Sequence, residues 1–317
     1  MNSDENSRGS AVGRRFRGVF TDLVTPFTED GSVDIQALRS YVAWQILAGV
    51  DGVVVCGSMG EPAVLTPDER DAIVARTVET ASERLLGRGV TVLAGIGDGG
   101  TAEAVAAARR AANVGADAAL VSAPHLNRQN QTALERHYRT VADEGGLPVV
   151  IMGSLFGNDI PVAADVLLRL AEHPGIVGVV DAATNPEQTG ELLRNRPPGF
   201  AVMSCDDASA LAVLRLGADG MISVASNEAP GALNELWAAA FAGDWDEARG
   251  VHERWAPLFA ANSMAPNPLP VKAALAAMGL IEDRVRAPLE PLTDPQRSEL
   301  ATILVRLGLV ARPGGRT

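Results

Sequence analysis

The chain has 317 residues, 47% of them apolar, 4% aromatic and 21% charged, and a formal net charge of −12. An acidic surface repels phosphate backbones, which argues against a nucleic-acid partner, and no apolar run reaches the roughly 18–20 residues of a membrane span. Cys56 and Cys205 are too few for a disulfide framework and lack metal-ligand spacing.

The arginines of RRFRG (14–18) are not followed by the apolar stretch of an export signal, so residues 1–15 read as a disordered leader and the protein as cytoplasmic. Eight short apolar runs then read as strands: GVFTDLVT (18–25), GVVVCG (52–57), VTVLAGI (90–96), AALVSAP (118–124), PVVIMG (148–153), IVGVVDA (176–182), FAVMSCD (200–206) and GMISVA (220–225). Amphipathic segments separate them, such as DIQALRSYVAWQILAG, PDERDAIVARTVETASERL and TAEAVAAARRAANVG, with apolar residues at steps of three and four. Strands apolar on both faces that alternate with helices imply a parallel sheet. Eight such units fit an α/β fold of the closed (β/α)8 type, a TIM barrel, better than an open doubly wound sheet, which would carry a Gly-rich phosphate turn after its first strand. After Gly243 the pattern is helical only, which divides the chain into a barrel at 16–243, a C-terminal helical extension at 244–311 and a tail at 312–317.

The active site of such a barrel lies at the C-terminal ends of its strands. That rule selects Asp22, Thr25, Ser58, Met59, Glu61, Asp98, His125, Asn127, Met152, Val180, Asp181, Cys205, Asp206 and Ser223. In CGSMGEPAVLTPDER (56–70), Gly57 and Gly60 flank Ser58 and Met59 and let their N–H groups turn toward the cavity as a nest for a small anion, or serve only as a tight connection to a helix starting at Thr66 and Pro67. The chain holds a single lysine, Lys272, so chemistry that needs a lysine amine must use that residue.

This loop resembles the Gly-Thr-Thr-Gly-Glu segment of the dihydrodipicolinate synthase and N-acetylneuraminate lyase family, class I aldolases that bind pyruvate as a lysine Schiff base. VTPFTEDGSVD (24–34), AGIGDGGTAEAVAAARRA (94–111), SCDDASAL (204–211), GADGMISVASN (217–227) and APNPLPVKAAL (265–275) are similar to family segments in the same order, the third and fifth favouring the dihydrodipicolinate synthase branch. The resemblance implies a barrel with C-terminal helices, a homotetramer or homodimer, and a small carbonyl or carboxylate ligand.

Departures fall on the family's catalytic positions. Val180 stands where the resemblance places the Schiff-base lysine, and a valine can neither attack a carbonyl nor accept a proton. Met152 stands at a relay tyrosine, His125 and Leu126 replace the family's two tyrosines after the fourth strand, Met59 replaces a carboxylate-binding threonine, and Cys205 replaces a pocket glycine. Lys272 matches the family's Pro-Val-Lys and reads as a structural or interface ion pair.

These substitutions lead to an expected lyase or aldolase-like, or cyclase-like, enzyme, of the carbon–carbon or carbon–oxygen lyase type, that acts on a small carbonyl or carboxylate compound without a Schiff base or cofactor and is not an authentic dihydrodipicolinate synthase. Ser58, His125 and Asp181 would carry proton transfer, and Gly57, Ser58, Met59, Asn127, Met152, Val180, Cys205 and Ser223 would contact substrate. No metal site is expected, because His137, His173 and His252 fall in helical segments without ligand spacing. The competing reading is an inactive family member that binds a ligand or serves as a scaffold.

Overall fold

The computed structural model describes residues 16–83, 87, 89–97, 99–124, 130–153, 162–181 and 185–311. The leader at 1–15, the tail at 312–317, and Asp98, His125 and Asn127 lie outside the described residues. Eight parallel strands close into a barrel in sequence order: β1 (Gly18–Asp22), β2 (Gly52–Val55), β3 (Thr91–Ile96), β4 (Ala118–Ser122), β5 (Val149–Met152), β6 (Ile176–Asp181), β7 (Ala201–Ser204) and β8 (Gly220–Ser223). Helices α1 (Ile35–Leu47), α2 (Pro67–Ala81), α3 (Thr101–Asn113), α4 (Gln131–Glu144), α5 (Ala164–Ala171), α6 (Pro186–Asn195), α7 (Ala210–Arg215) and α8 (Pro230–Ala242) follow the strands in turn. Three more helices complete the described chain: α9 (Trp245–Ala261), α10 (Leu269–Ala277) and α11 (Asp294–Leu307). The fold is a TIM barrel with C-terminal helices.

Alternation along each strand sorts the side chains. Phe20, Val54, Leu93, Leu120, Val150, Val180, Met203 and Ile222 fill the barrel interior as one apolar cluster. Their neighbours Val53, Val92, Val121, Ile151, Val179 and Val202 face outward onto the helices. Both faces are therefore buried, which is why the strands read as continuous apolar runs. A separate cluster joins Val19 of β1 and Met221 of β8 to Leu233 and Leu236 of α8, Val251 and Leu258 of α9, and Leu300 and Leu304 of α11. The C-terminal helices thus share a core with the barrel wall.

Helix α2 starts where the sequence places it. Thr66 Oγ1 accepts from Glu69 N while Glu69 Oε2 accepts from Thr66 N, and Pro67 occupies the first turn, where its missing N–H costs nothing.

The loop between β2 and α2 is anchored to the extension by Lys272. Its Nζ, fully buried, donates to Glu61 Oε1 at 2.5 Å and to the Arg284 carbonyl at 2.6 Å, and stands 4.2 Å from the centre of the Phe27 ring. Arg286 completes the clamp, with its N–H on Glu61 Oε2 and its guanidinium on Glu69 and the carbonyls of Gly31 and Val64. The ammonium is held inside the protein, 0% exposed with Glu61 at 1%, and burial pulls its pKa below the usual lysine value. Breaking such a pair leaves an uncompensated buried charge, at a cost of about 3–5 kcal/mol. Lys272→Met is accordingly expected to lower the unfolding free energy by about that amount in urea titrations at pH 8, and Lys272→Met/Glu61→Leu to recover much of it. A single variant as stable as the wild type would contradict the clamp.

Candidate active site at the barrel mouth

Asp22 ends β1 on the inward face that Phe20 begins, so its carboxylate stands at the top of the barrel lumen. Oδ2 accepts from Ser58 Oγ at 2.8 Å and from Met59 N at 3.3 Å, while Oδ1 is buried with no hydrogen-bond partner. Glycine is required at position 57, because a Cβ there would lie 2.3 Å from Asp22 Oδ1 and 2.9 Å from Val54 Cγ1. Burial raises the Asp22 carboxyl to about 6, against the opposing hydrogen bonds from Ser58 and Met59.

Asp22 and Ser58 open onto a cavity of about 80 Å³, larger than the volume of one water. Met152, Cys205, Ile222, Val224, Asp206, Asp207 and Ala208 form its floor and one wall, and Phe259, Asn262, Ser263 and Asn267 close it from the extension. Asp207 is raised to about 6, chiefly by burial, while its carboxylate accepts from Val224 N and Ala225 N. Such a cavity can hold a small molecule against a carboxyl group that titrates near neutrality, the property of a general acid or base.

The sequence-predicted residues divide. Ser58, Met152 and Cys205 line the cavity. Val180, fully buried, packs in the interior cluster with Met152, Met203 and Cys205, so the β6 position is part of an apolar floor. The nest at Gly57, Ser58 and Met59 was expected to bind a substrate anion, but its anion is the protein's own Asp22. Met59 does not contact the cavity, since its side chain sits at 0% exposure in the core between barrel and helices. Ser223 is also corrected: it is one residue past the inward Ile222, so it faces out of the lumen, and its Oγ accepts from Ser226 N. For the same reason Asp181, the neighbour of inward Val180, turns toward α6, where its Oδ2 accepts from Thr189 Oγ1 at 2.5 Å. It is not part of the cavity lining.

Neither cysteine is activated. Burial pushes Cys56 up to about 12, and burial with surrounding carboxylates pushes Cys205 higher still. Among the described residues no group of three His, Cys, Asp or Glu side chains is placed to hold a metal ion.

Asp22 was on the list of strand-end residues but was not assigned a role. Its signal was a lone carboxylate two residues past Phe20, on the same inward face of β1. Asn262 was missed, because nothing in a helical segment some forty residues past β8 marks it as part of the mouth.

The dihydrodipicolinate synthetase family model matches residues 15–307. A relative from Chlorobium limicola named 4-hydroxy-tetrahydrodipicolinate synthase is 40% identical over 298 residues, covering 94% of this chain and 99% of its own. The crystal structure of dihydrodipicolinate synthase from Aquifex aeolicus superposes with a TM-score of 0.88 at 34% identity, covering 93% of this chain and 99% of that one. The chloride-inhibited synthase from Acinetobacter baumannii complexed with pyruvate gives the same score, identity and coverage. Identity of this degree over nearly the whole length to proteins named as synthases overturns the expectation, drawn from single positions, that the chain stands apart from the authentic synthases. The chain belongs to the dihydrodipicolinate synthetase family.

Proposed function

We propose that the protein is an aldolase-type lyase that acts on a small carbonyl or carboxylate compound in the mouth cavity, with proton transfer through Asp22 and Ser58 and without a lysine imine. The observation that carries this reading is the Asp22 carboxyl, which lines the cavity, is buried and raised to about 6, and is held by Ser58 and Met59 through one oxygen. Above pH 6 the ionised carboxylate can take a proton from carbon next to a substrate carbonyl, and the Ser58 hydroxyl holds it in place. Two facts favour a route without an imine: Val180 is at the end of β6, and the amine of Lys272 is committed to Glu61. A second reading, ligand binding without turnover, is favoured by the apolar floor of Met152, Val180 and Cys205.

The Acinetobacter relative is described with pyruvate, which makes pyruvate the first compound to test. Exchange of its methyl protons with heavy water, followed by NMR, is expected to run above the buffer rate, to fall as pH drops below about 6 because Asp22 then holds a proton, and to drop by about 10²–10⁴ in Asp22→Asn. Borohydride treatment in the presence of pyruvate is expected to add no mass to the chain. A reduced adduct mapped to Lys272, or exchange unaffected by Asp22→Asn, would overturn the reading; binding of pyruvate with no exchange would favour the second one.

The chain is further proposed to assemble as a homodimer or homotetramer, on the strength of its family membership. Light scattering at micromolar concentration is expected to give at least twice the 33.0 kDa of one chain. A particle of one chain's mass would refute this.

A further inference from the structure

The backbone carbonyl of Asp22 is held as firmly as its carboxylate, by a residue that the strand-end rule does not select. The β1–β8 ladder ends at the pair Thr21 and Ser223, and the next carbonyl on β1 is taken by a side chain instead of a strand. Asn227, in the 3₁₀ turn Ala225–Asn227 that follows β8, supplies the donor: its Nδ2 reaches the Asp22 carbonyl and the Val224 carbonyl, each at 2.8 Å. Its Oδ1 accepts from Val24 N at 3.3 Å and from the Tyr41 hydroxyl at 2.5 Å. A primary amide has two N–H donors and two acceptor lone pairs, and here all four are used. The side chain is fully buried, so bulk water does not compete for any of them.

Helix α1 braces this amide from behind. Gln45 Nε2 donates to the Ser226 carbonyl at 2.9 Å, and Gln45 Oε1 accepts from Thr21 Oγ1 at 2.8 Å. Tyr41 lies one turn earlier on the same helix. Burial, with smaller contributions from the nearby Glu228 and Asp22 carboxyls, holds its pKa well above the usual tyrosine value, so the hydroxyl stays a donor to Asn227. On the other side of β1, Leu23 N donates to the Val54 carbonyl at 2.9 Å. The end of the strand is thus fixed toward both neighbours. That matters because burial outweighs the hydrogen bonds from Ser58 and Met59 in setting the Asp22 carboxyl, and burial lasts only while the strand end cannot swing out to water.

We propose that Asn227 is a positioning residue for Asp22: it ties the end of β1 to the turn after β8, with Tyr41 setting the orientation of its amide, and so keeps the carboxyl at the cavity and away from solvent. The inference rests on the reading of Asp22 as the group that takes the proton, and adds the residue that holds it there. Asn227 is not among the residues that line the cavity and is assigned no contact with substrate.

The test is the NMR titration of the Asp22 carboxyl in the wild type, Asn227→Ser and Tyr41→Phe, with pyruvate exchange and pyruvate binding measured on the same proteins at pH 8 and folding checked by circular dichroism. Asn227→Ser releases the strand end, admits water to the carboxyl and is expected to lower the midpoint by about one pH unit or more from near 6. Tyr41→Phe removes one hydroxyl, keeps the ring in place and is expected to move the midpoint in the same direction by a smaller amount. Exchange is expected to slow about tenfold in Asn227→Ser, with the loss in kcat and not in the pyruvate dissociation constant. A merely structural role would lower stability and leave the midpoint in place, which makes the downward shift the deciding readout; should Asn227→Ser not fold, Tyr41→Phe decides. A midpoint that stays near 6 or rises in the folded variants would sink this inference and leave the reading of Asp22 intact. A wild-type midpoint near the ordinary aspartate value of about 4 would sink both.

Discussion

The carboxylate of Asp22 is bound on one oxygen by the Ser58 hydroxyl and the Met59 amide and left bare on the other, and the barrel mouth is arranged around that asymmetry. It sets the shape of the loop after β2, since only glycine fits at 57 against Oδ1. It also bears on the chemistry, because a carboxyl raised from 3.8 to about 6 changes charge near neutrality. The shift corresponds to about 3 kcal/mol against the ionised form. Its folded value lies above its unfolded one, so the stabilisation it contributes is present below about 3.8, is lost as pH rises toward 6, and is absent above that. At neutral pH the native state therefore holds a carboxylate that its surroundings disfavour, a strained charge placed beside the cavity.

That strain is tolerable because the loop is fixed from outside. Lys272 and Arg286 hold Glu61 and Glu69, and through them the segment that bears Ser58, so that the two donors to Asp22 do not need to find their own geometry. The lone lysine thus supports the mouth from the extension, with its ammonium bonded to Glu61 and the Arg284 carbonyl. Val180 fits the same picture: with Met152 and Cys205 it makes a dry floor, which raises the cost of the nearby Asp22 charge.

The architecture was legible in the sequence because strands buried on both faces leave unbroken apolar runs, and because caps such as Thr66 are local. Strand ends were less so. The first run continues to Thr25, but β1 stops at Asp22 and Thr25 turns its hydroxyl to the Gly60 carbonyl. At the site, the Gly-Ser-Met-Gly loop was recognisable as an anion nest, but the anion comes from a residue 36 positions earlier, a pairing that no local pattern encodes. Ser223 and Asp181 were chosen for lying at strand ends, and alternation from their inward neighbours Ile222 and Val180 would have turned both out of the lumen. Glu228 and Asn262 come together only because α9 packs back against α8 and α7, so their proximity could be seen only in three dimensions.

The central claim is that Asp22 is a carboxyl group poised near neutrality, and a direct titration tests it. With carbonyl-carbon-labelled aspartate incorporated and the Asp22 resonance identified by its loss in Asp22→Asn, NMR between pH 4 and 8 is expected to give a midpoint near 6 that moves upward in Ser58→Ala, where one of the stabilising hydrogen bonds is removed. A midpoint at the ordinary aspartate value near 4, unchanged by Ser58→Ala, would contradict the account.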